Sequence, residues 1–365
     1  MTRNNIRTSG EPLRFAIVGC GRIAVRHSEL LSSGQIDGAT LVGVCDIVRS
    51  RAKSLGEKTG VPYFTDMHEM ARSVDADLFV ILTESGLHAE HTLELAPYGK
   101  HIVVEKPMAL RLSDADAMIR ACDEAGVRLF VVKQNRFNVP VVKAREALDA
   151  GRFGKLVLGT VRVRWCRPQH YYDQASWRGT WAMDGGVLTN QASHHIDLLE
   201  WMMGDVETVH AMSATALVDI EAEDTAVVTL RFANGALGII EATTATRPKD
   251  LEGSLSILGE GGTVEIGGFA VNQMKVWNFV EPSAEDESVL GEYSVNPPDV
   301  YGFGHRSYYE HVVDSIRNGT RHLVDGLEGR RSLELISAIY ESIETKREVP
   351  LRFQPSECKL GIRRG

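Results

Sequence analysis

The sequence predicts two folded domains: an α/β domain on a doubly wound parallel sheet, then an α+β domain with a large, mostly antiparallel sheet. Three observations carry this. Short apolar runs alternate with helical patterns through residues 1–137, the pattern changes to alternating strands from Leu156 onward, and 365 residues at ~150 per domain make room for about two. The boundaries are expected at 1–137, 138–350 and a tail over 351–365.

Leu13 to Val18 is a continuous apolar run ending in glycine, the form of a strand buried on both faces, and Ile23 to Leu31 follows with apolar positions three and four apart. The alternation continues with a strand Thr40 to Cys45, a helix Arg49 to Lys58, a strand Leu78 to Leu82 and a helix Leu87 to Ala96. A strand Ile102 to Val104, a helix Ser113 to Ala125 and a strand Arg128 to Val132 complete it, and such strands must pair in parallel through right-handed crossovers. After a helix at Val139 to Leu148 with Pro140 in its first turn, strands are read at 157–165, 208–217, 224–232, 235–244, 251–259 and 262–277. Asn234-Gly235 and the glycines at 259–262 are turn signals between them. Helices are expected at Ser193 to Met203, His305 to Arg317 and Leu327 to Lys346, with the acidic stretch Glu281 to Pro298 as an exposed loop.

Composition narrows the function. Hydrophobic residues make up 43% and charged ones 24%, the balance of a soluble globular chain rather than a disordered or fibrous one. The net charge of -9 repels polyanions, which argues against a nucleic-acid partner. No apolar run reaches the ~18 residues of a membrane span, and the polar start lacks a signal-peptide core, so a cytoplasmic location is expected. Cys20, Cys45, Cys122, Cys166 and Cys358 are odd in number and widely spaced, which encodes neither a disulfide framework nor a metal site.

The first strand runs into Gly19-Cys20-Gly21-Arg22-Ile23-Ala24, a G-x-G-x-x-A dinucleotide fingerprint. Its glycines allow a tight turn and close approach to a pyrophosphate, which then sits at the positive end of a helix. Asp46 lies 22 residues past Ala24 at the end of the second strand, where a carboxylate receives the ribose hydroxyls of NAD and repels the extra phosphate of NADP. Arg49 and Arg51 pull the other way, since an arginine there accepts a 2′-phosphate.

The glycine motif, Thr83 to His88, the block Gly99 to Pro107 with its Glu105-Lys106-Pro107, and Gly185-Gly186 followed by His194 and Asp197 resemble the signature blocks of the Gfo/Idh/MocA oxidoreductases, in order along nearly the whole chain. The resemblance implies a Rossmann domain holding NAD with Gly19, Gly21, Arg22, Ile23, Asp46, Thr83, His88, Glu105, Lys106 and Gln134, and no metal. It implies that Lys106 and His194 are catalytic, with the identity of the proton acceptor open between them. An ammonium stabilises the alkoxide formed as hydride leaves, and an imidazole has the pKa for proton transfer near neutrality. Asp197, three residues on, is the expected orienter of His194. His195 points about 100 degrees away, so only one of the two faces a cleft. Many relatives carry Asp where this chain has Asn190; an amide takes no proton, so Asn190 orients a hydroxyl, and ordinary inositol or sugar oxidation is disfavoured.

Residues 161–181 mix Arg162, Arg164, Arg167 and Arg178 with Trp165, Tyr171, Tyr172, Trp177 and Trp181. Arginine forks suit phosphate or carboxylate, and rings stack on a sugar or base. With Gln134 before it and Asn190 after it, this stretch is similar to the WlbA subgroup of the family, which oxidises the 3-hydroxyl of UDP-N-acetylglucosaminuronic acid for surface polysaccharide. The resemblance implies a UDP-sugar substrate held by Arg164, Arg167, Tyr172, Trp177, Arg178, Asn190 and His194. It further implies recycling of tightly held cofactor by 2-oxoglutarate, and a homo-oligomer, dimer or tetramer, formed through the open sheet face. An unactivated-sugar or inositol dehydrogenase and a non-catalytic NAD-binding regulator are the competing expectations.

Overall fold

The computed structural model describes residues 10–294, 303–351 and 358–362. The chain divides into two compact units, Met1–Val132 with His305–Arg330, and Lys133–Gly304 with Arg331–Gly365. Residues 305–330, which follow the second sheet in sequence, thus belong with the first.

The first unit holds six strands, β1 (Leu13–Val18), β2 (Ala39–Cys45), β3 (Tyr63–Phe64), β4 (Leu78–Ile81), β5 (His101–Val104) and β6 (Leu129–Val131), in the order β3-β2-β1-β4-β5-β6. Every neighbouring pair is parallel. Phe15, Ile17, Phe79, Val80, Ile102 and Val103 are fully buried, so the strands read as unbroken apolar runs because helices cover both faces. Strand order reverses between β1 and β4, and the crevice beyond their carboxyl ends is where open α/β sheets take ligands.

The second unit is built on an eight-stranded sheet: β7 (Leu156–Arg164), β8 (Val206–Ala214), β9 (Thr225–Phe232), β10 (Leu237–Thr243), β11 (Glu252–Gly259), β12 (Gly262–Gly267), β13 (Gln273–Phe279) and β14 (Val349–Pro350), ordered β13-β12-β11-β7-β10-β9-β8-β14. Only β7 and β10 pair in parallel. One face is apolar and packs on the helix Ser193–Met203: a Cβ at Gly159 would lie 2.8 Å from Leu199 and 2.6 Å from Met203. The other face carries Arg162, Arg164, Glu241 and Glu252, and it leaves Met212, Val227 and Ile239 exposed.

Three sequence expectations change. The stretch 262–277 is two strands, because Gly268 takes a left-handed φ of 86 and turns the chain between β12 and β13. The expected loop from Glu281 contains a helix, Asp286–Glu292, in which Asp286 accepts from Trp277 Nε1 (2.7 Å) and pairs with Arg152 (2.7 Å); its end at 295–298 lies outside the described residues. Short helices at Met67–Ser73 and Gln169–Tyr172 were also unread. Most of the expected tail, 352–357 and 363–365, lies outside the described residues. No described helix is long and apolar enough to cross a membrane.

Candidate functional site

In the first unit the glycine turn has the shape its sequence implied. Gly19 sits at φ 96, and a Cβ there would fall 2.7 Å from the Leu82 carbonyl carbon, so β1 and β4 approach too closely for any side chain. Gly21 starts the helix Arg22–Ser32, which no side chain caps, and a Cβ on Gly21 would meet nothing within 4 Å. Open space before unspent helix N–H groups is what a pyrophosphate requires. Arg22 and Ile23 form the first turn of that helix. Asp46 accepts from Cys20 N–H (2.8 Å) and Val48 N–H (2.7 Å), which locks the end of β2 to the glycine turn while each oxygen keeps a second lone pair for a ribose hydroxyl.

Asp46→Ala is expected to narrow the preference for NAD over NADP, since the repelling charge is gone. Kinetics with both nucleotides check it: equal or better use of NADP by the unaltered protein removes this role from Asp46.

Three residues expected to contact cofactor make internal contacts. His88 is buried, with Nδ1 2.7 Å from the Pro107 carbonyl and Nε2 3.0 Å from the Thr83 carbonyl, so both ring nitrogens are engaged internally. It ties the loop after β4 to the loop after β5. Thr83 itself holds His91 Nδ1 at 2.9 Å. Glu105 also turns inward: Oε2 accepts from Lys106 N–H (2.9 Å) and Oε1 lies 3.1 Å from His27 Nε2 and 3.9 Å from His305 Nε2. Burial opposes its ionisation, yet the hydrogen bond from His27 and the nearby His305 ring hold it well below the usual carboxylate range. Burial keeps His27 neutral, its Nε2–H donating to Glu105 and its Nδ1 facing the Tyr309 hydroxyl at 2.5 Å. A fixed anion under the backbone of Lys106 therefore places that half-buried lysine just beyond β5.

In the second unit, Ser193–Met203 carries the histidine pair. His195 is core: it lies edge-on to Trp165 at 5.7 Å, a Cβ at Gly253 would touch its Nε2 at 2.7 Å, and burial pushes its pKa down to about 3. His194 is the one with a polar neighbour, its Nε2 3.0 Å from the Gln134 amide. Gln134 thus gives its amide nitrogen to an imidazole of its own unit, while its Oε1 has no hydrogen-bond partner among the described residues.

Asp197, the expected orienter of His194, is engaged by two cations. Its carboxylate is gripped by Arg136, Nε to Oδ2 and Nη2 to Oδ1, both 2.8 Å, with Lys133 Nζ at 3.4 Å from Oδ1. Burial works against this charge, but Arg136 and Lys133 outweigh it and bring the pKa down to about 2. The same helix buries Glu200 against Arg331 (3.1 Å), and burial lifts its pKa to about 8. Asn190 stands on the turn after Gly186, its amide nitrogen donating to Asp184, whose other oxygen accepts from Gly179 N–H at 2.9 Å. Asp184, Arg136 and Lys133 were not anticipated as supports of this region.

The arginine-rich segment separates into spent and unspent cations. Arg164 and Arg162 alternate with Val161 and Val163, so they lie on the sheet face away from Ser193–Met203; Arg164 pairs with Glu241 (2.6 Å) and Glu252 (3.0 Å). Both ion pairs of Arg164 thus lie on that face. Arg167 pairs with Asp250 at 2.9 Å and lies over Trp165 at 5.3 Å. Tyr172 is buried, its hydroxyl 3.1 Å from Thr244 Oγ1, which places it in the core. Arg178 differs: it stacks on Tyr171 (4.5 Å) and Trp177 (4.7 Å), donates one bond to the Tyr171 hydroxyl, and has no carboxylate partner among the described residues. Its buried Nε has no acceptor among them.

Two family models match the chain: "Oxidoreductase family, NAD-binding Rossmann fold" over residues 13–133 and "Oxidoreductase family, C-terminal alpha/beta domain" over 145–351, both of the GFO_IDH_MocA type. A myo-inositol 2-dehydrogenase of Thermotoga maritima is 30% identical over 93% of this chain and 98% of its own length. The WlbA dehydrogenase of Bordetella pertussis, solved with NADH and UDP-GlcNAcA, is 44% identical with a TM-score of 0.87, covering 94% of this chain and all (100%) of that one. The Chromobacterium violaceum WlbA dehydrogenase, solved with the same two ligands, is also 44% identical, with a TM-score of 0.88, covering 95% and 98%. With the glycine cradle, the Glu105-Lys106-Pro107 block and both domain matches in place, the chain belongs to the Gfo/Idh/MocA family of oxidoreductases and is an NAD-dependent enzyme acting on alcohols.

Proposed function

We propose that the protein oxidises the 3-hydroxyl of a UDP-linked N-acetylated uronic acid, UDP-N-acetylglucosaminuronic acid, to the 3-keto sugar used in surface polysaccharide. The observation that carries this is 44% identity over nearly the full chain to two dehydrogenases solved with that sugar nucleotide, against 30% to the inositol enzyme.

NAD, when bound, supplies the hydride acceptor. Lys106, held by the anion of Glu105, hydrogen-bonds the reacting hydroxyl and stabilises negative charge on its oxygen. His194 takes the proton at Nε2, which is released from the Gln134 amide N–H as it does so. Asn190, steadied by Asp184, orients a neighbouring hydroxyl. Arg178 is the cation we assign to an anionic group of the substrate, because it alone of the four arginines in its segment is not matched by a carboxylate among the described residues. Self-association is assigned to the open sheet face around Met212, Val227 and Ile239, and 2-oxoglutarate to in-place recycling of the nicotinamide.

Incubation with UDP-N-acetylglucosaminuronic acid is expected to give a product two hydrogens lighter by mass. Arg178→Ala is expected to raise KM for it about tenfold or more, the scale of one lost charge-assisted hydrogen bond. Arg164→Ala is expected to leave KM within about twofold, since that charge is already neutralised. A larger effect from Arg164→Ala would overturn the division of these arginines.

A further inference from the structure

The turn that carries Asn190 and leads into His194 hangs from one buried acid far along the chain. Val187 N–H donates to the Glu223 backbone carbonyl (2.9 Å) and Leu188 N–H to Glu223 Oε1 (3.0 Å). The Tyr340 hydroxyl donates to the same Oε1 (3.0 Å). Its proton being spent there, Tyr340 accepts from Gly186 N–H (3.3 Å) and from Thr189 Oγ1–H (2.8 Å). The N–H groups of Gly186, Val187 and Leu188 and the Thr189 hydroxyl thus end on Glu223 or Tyr340, and the next amides bond back within the turn, Asn190 to Gly186 and Ala192 to Val187.

The fit is tight. Glu223 is 3% exposed, Tyr340 1% and Thr189 0%. A Cβ on Gly186 would stand 2.2 Å from the Glu223 carbonyl oxygen and 2.3 Å from Oε2, so the second glycine of the Gly185-Gly186 pair is glycine because this acid lies against it. Glu223 Oε2 has no hydrogen-bond partner among the described residues. A buried carboxyl with one oxygen doubly bonded and the other unsatisfied is costly as an anion.

We propose that Glu223 is a positioning residue: through Oε1, together with Tyr340, it fixes the turn Gly186 to Thr189 and so sets the placement of Asn190 and His194. The working group is the accepting oxygen and not the charge, so a glutamine amide oxygen replaces it. Burial pushes the Glu223 pKa up to about 7, the bonds from Leu188 and Tyr340 opposing it and the neighbouring charge of Asp184 adding to it. An acid whose folded pKa is raised gives stability that is whole below its ordinary value and is lost as pH rises through the folded value. The turn is therefore held best below neutrality.

Hydrogen–deuterium exchange of the peptide covering 184–192 in the full-length protein tests this without any substrate. Glu223→Leu is expected to raise exchange of the Gly186 to Leu188 amides about tenfold or more, and Glu223→Gln to leave it within about twofold. After correction for intrinsic rates, protection in the unaltered protein is expected to fall as pH rises from the ordinary value of 4.5 to about 7, and to stay level in Glu223→Gln. Tyr340→Phe, which keeps the acid, is expected to release the Gly186 amide and covers the case in which Glu223→Leu fails to fold. Glu223→Gln exchanging as fast as Glu223→Leu, or Tyr340→Phe leaving Gly186 protected, would overturn the proposal. The kinetic consequence rests on the proposed function: kcat about tenfold lower in Glu223→Leu, restored in Glu223→Gln, with NAD affinity unchanged in both. A protein that ignores UDP-sugars overturns that function and leaves the exchange result standing.

Discussion

Lys106→Ala, or His194→Ala, is expected to lower kcat by roughly a hundredfold or more, the usual scale for a positioned acid–base group, while NAD affinity stays within a few-fold. The expectation follows from how each group is held. Lys106 takes its backbone position from Glu105, which is itself buried beside His27 and His305, so its side chain starts from a fixed point just beyond β5. His194 is the half of the histidine pair with a polar partner, whereas neither ring nitrogen of His195 has a hydrogen-bond partner among the described residues. Neither variant removes a residue of the glycine cradle, so nucleotide titration followed by fluorescence separates binding from turnover. Near-normal turnover in one variant takes that residue out of the chemistry, and His195→Ala serves as the control that alters packing.

Asp197→Ala is expected to destabilise the protein by about 3–5 kcal/mol, because breaking a buried ion pair from one side leaves the other charges uncompensated. Here two cations would be stranded, Arg136 at 3% and Lys133 at 4% exposure. Arg136 is further wedged between this carboxylate and the Trp201 ring, 5.0 Å from its centroid, so it has no route to water. The folded pKa of Asp197 is depressed to about 2, so its contribution is present above the ordinary carboxylate value and is lost as pH falls through about 2. Denaturant unfolding of the variant at neutral pH measures the loss; a change below about 1 kcal/mol would show that the pair is not worth its burial.

Much of the fold was legible because burial writes itself into sequence. β1, β4 and β5 are covered on both faces and appear as unbroken apolar runs, while β9 and β10 alternate because one face stays open. Elements of two residues, such as β3 and β14, are too short to show any period. The glycine turn was legible because its backbone geometry demands glycine, whereas Lys106 and His194 were singled out by the family resemblance. What escaped was long-range pairing: Asp197 meets Arg136, 61 positions earlier, and the turn at Gly186 meets Glu223 and Tyr340, and no local pattern announces such partners. Strand alternation placed Arg162 and Arg164 on one face, and the apolar Val161 and Val163 between them already marked the opposite face as the one packed inward.

The measurement that bears most directly on the whole account is kcat/KM with NAD for UDP-N-acetylglucosaminuronic acid, UDP-N-acetylglucosamine, glucose and myo-inositol, followed by nicotinamide absorbance. Turnover of the uronic acid is expected, little of UDP-N-acetylglucosamine, and none of glucose or inositol, because remote binding of the anionic nucleotide positions the reacting carbon. A higher kcat/KM for inositol or glucose would contradict it, and with it the role given to Arg178.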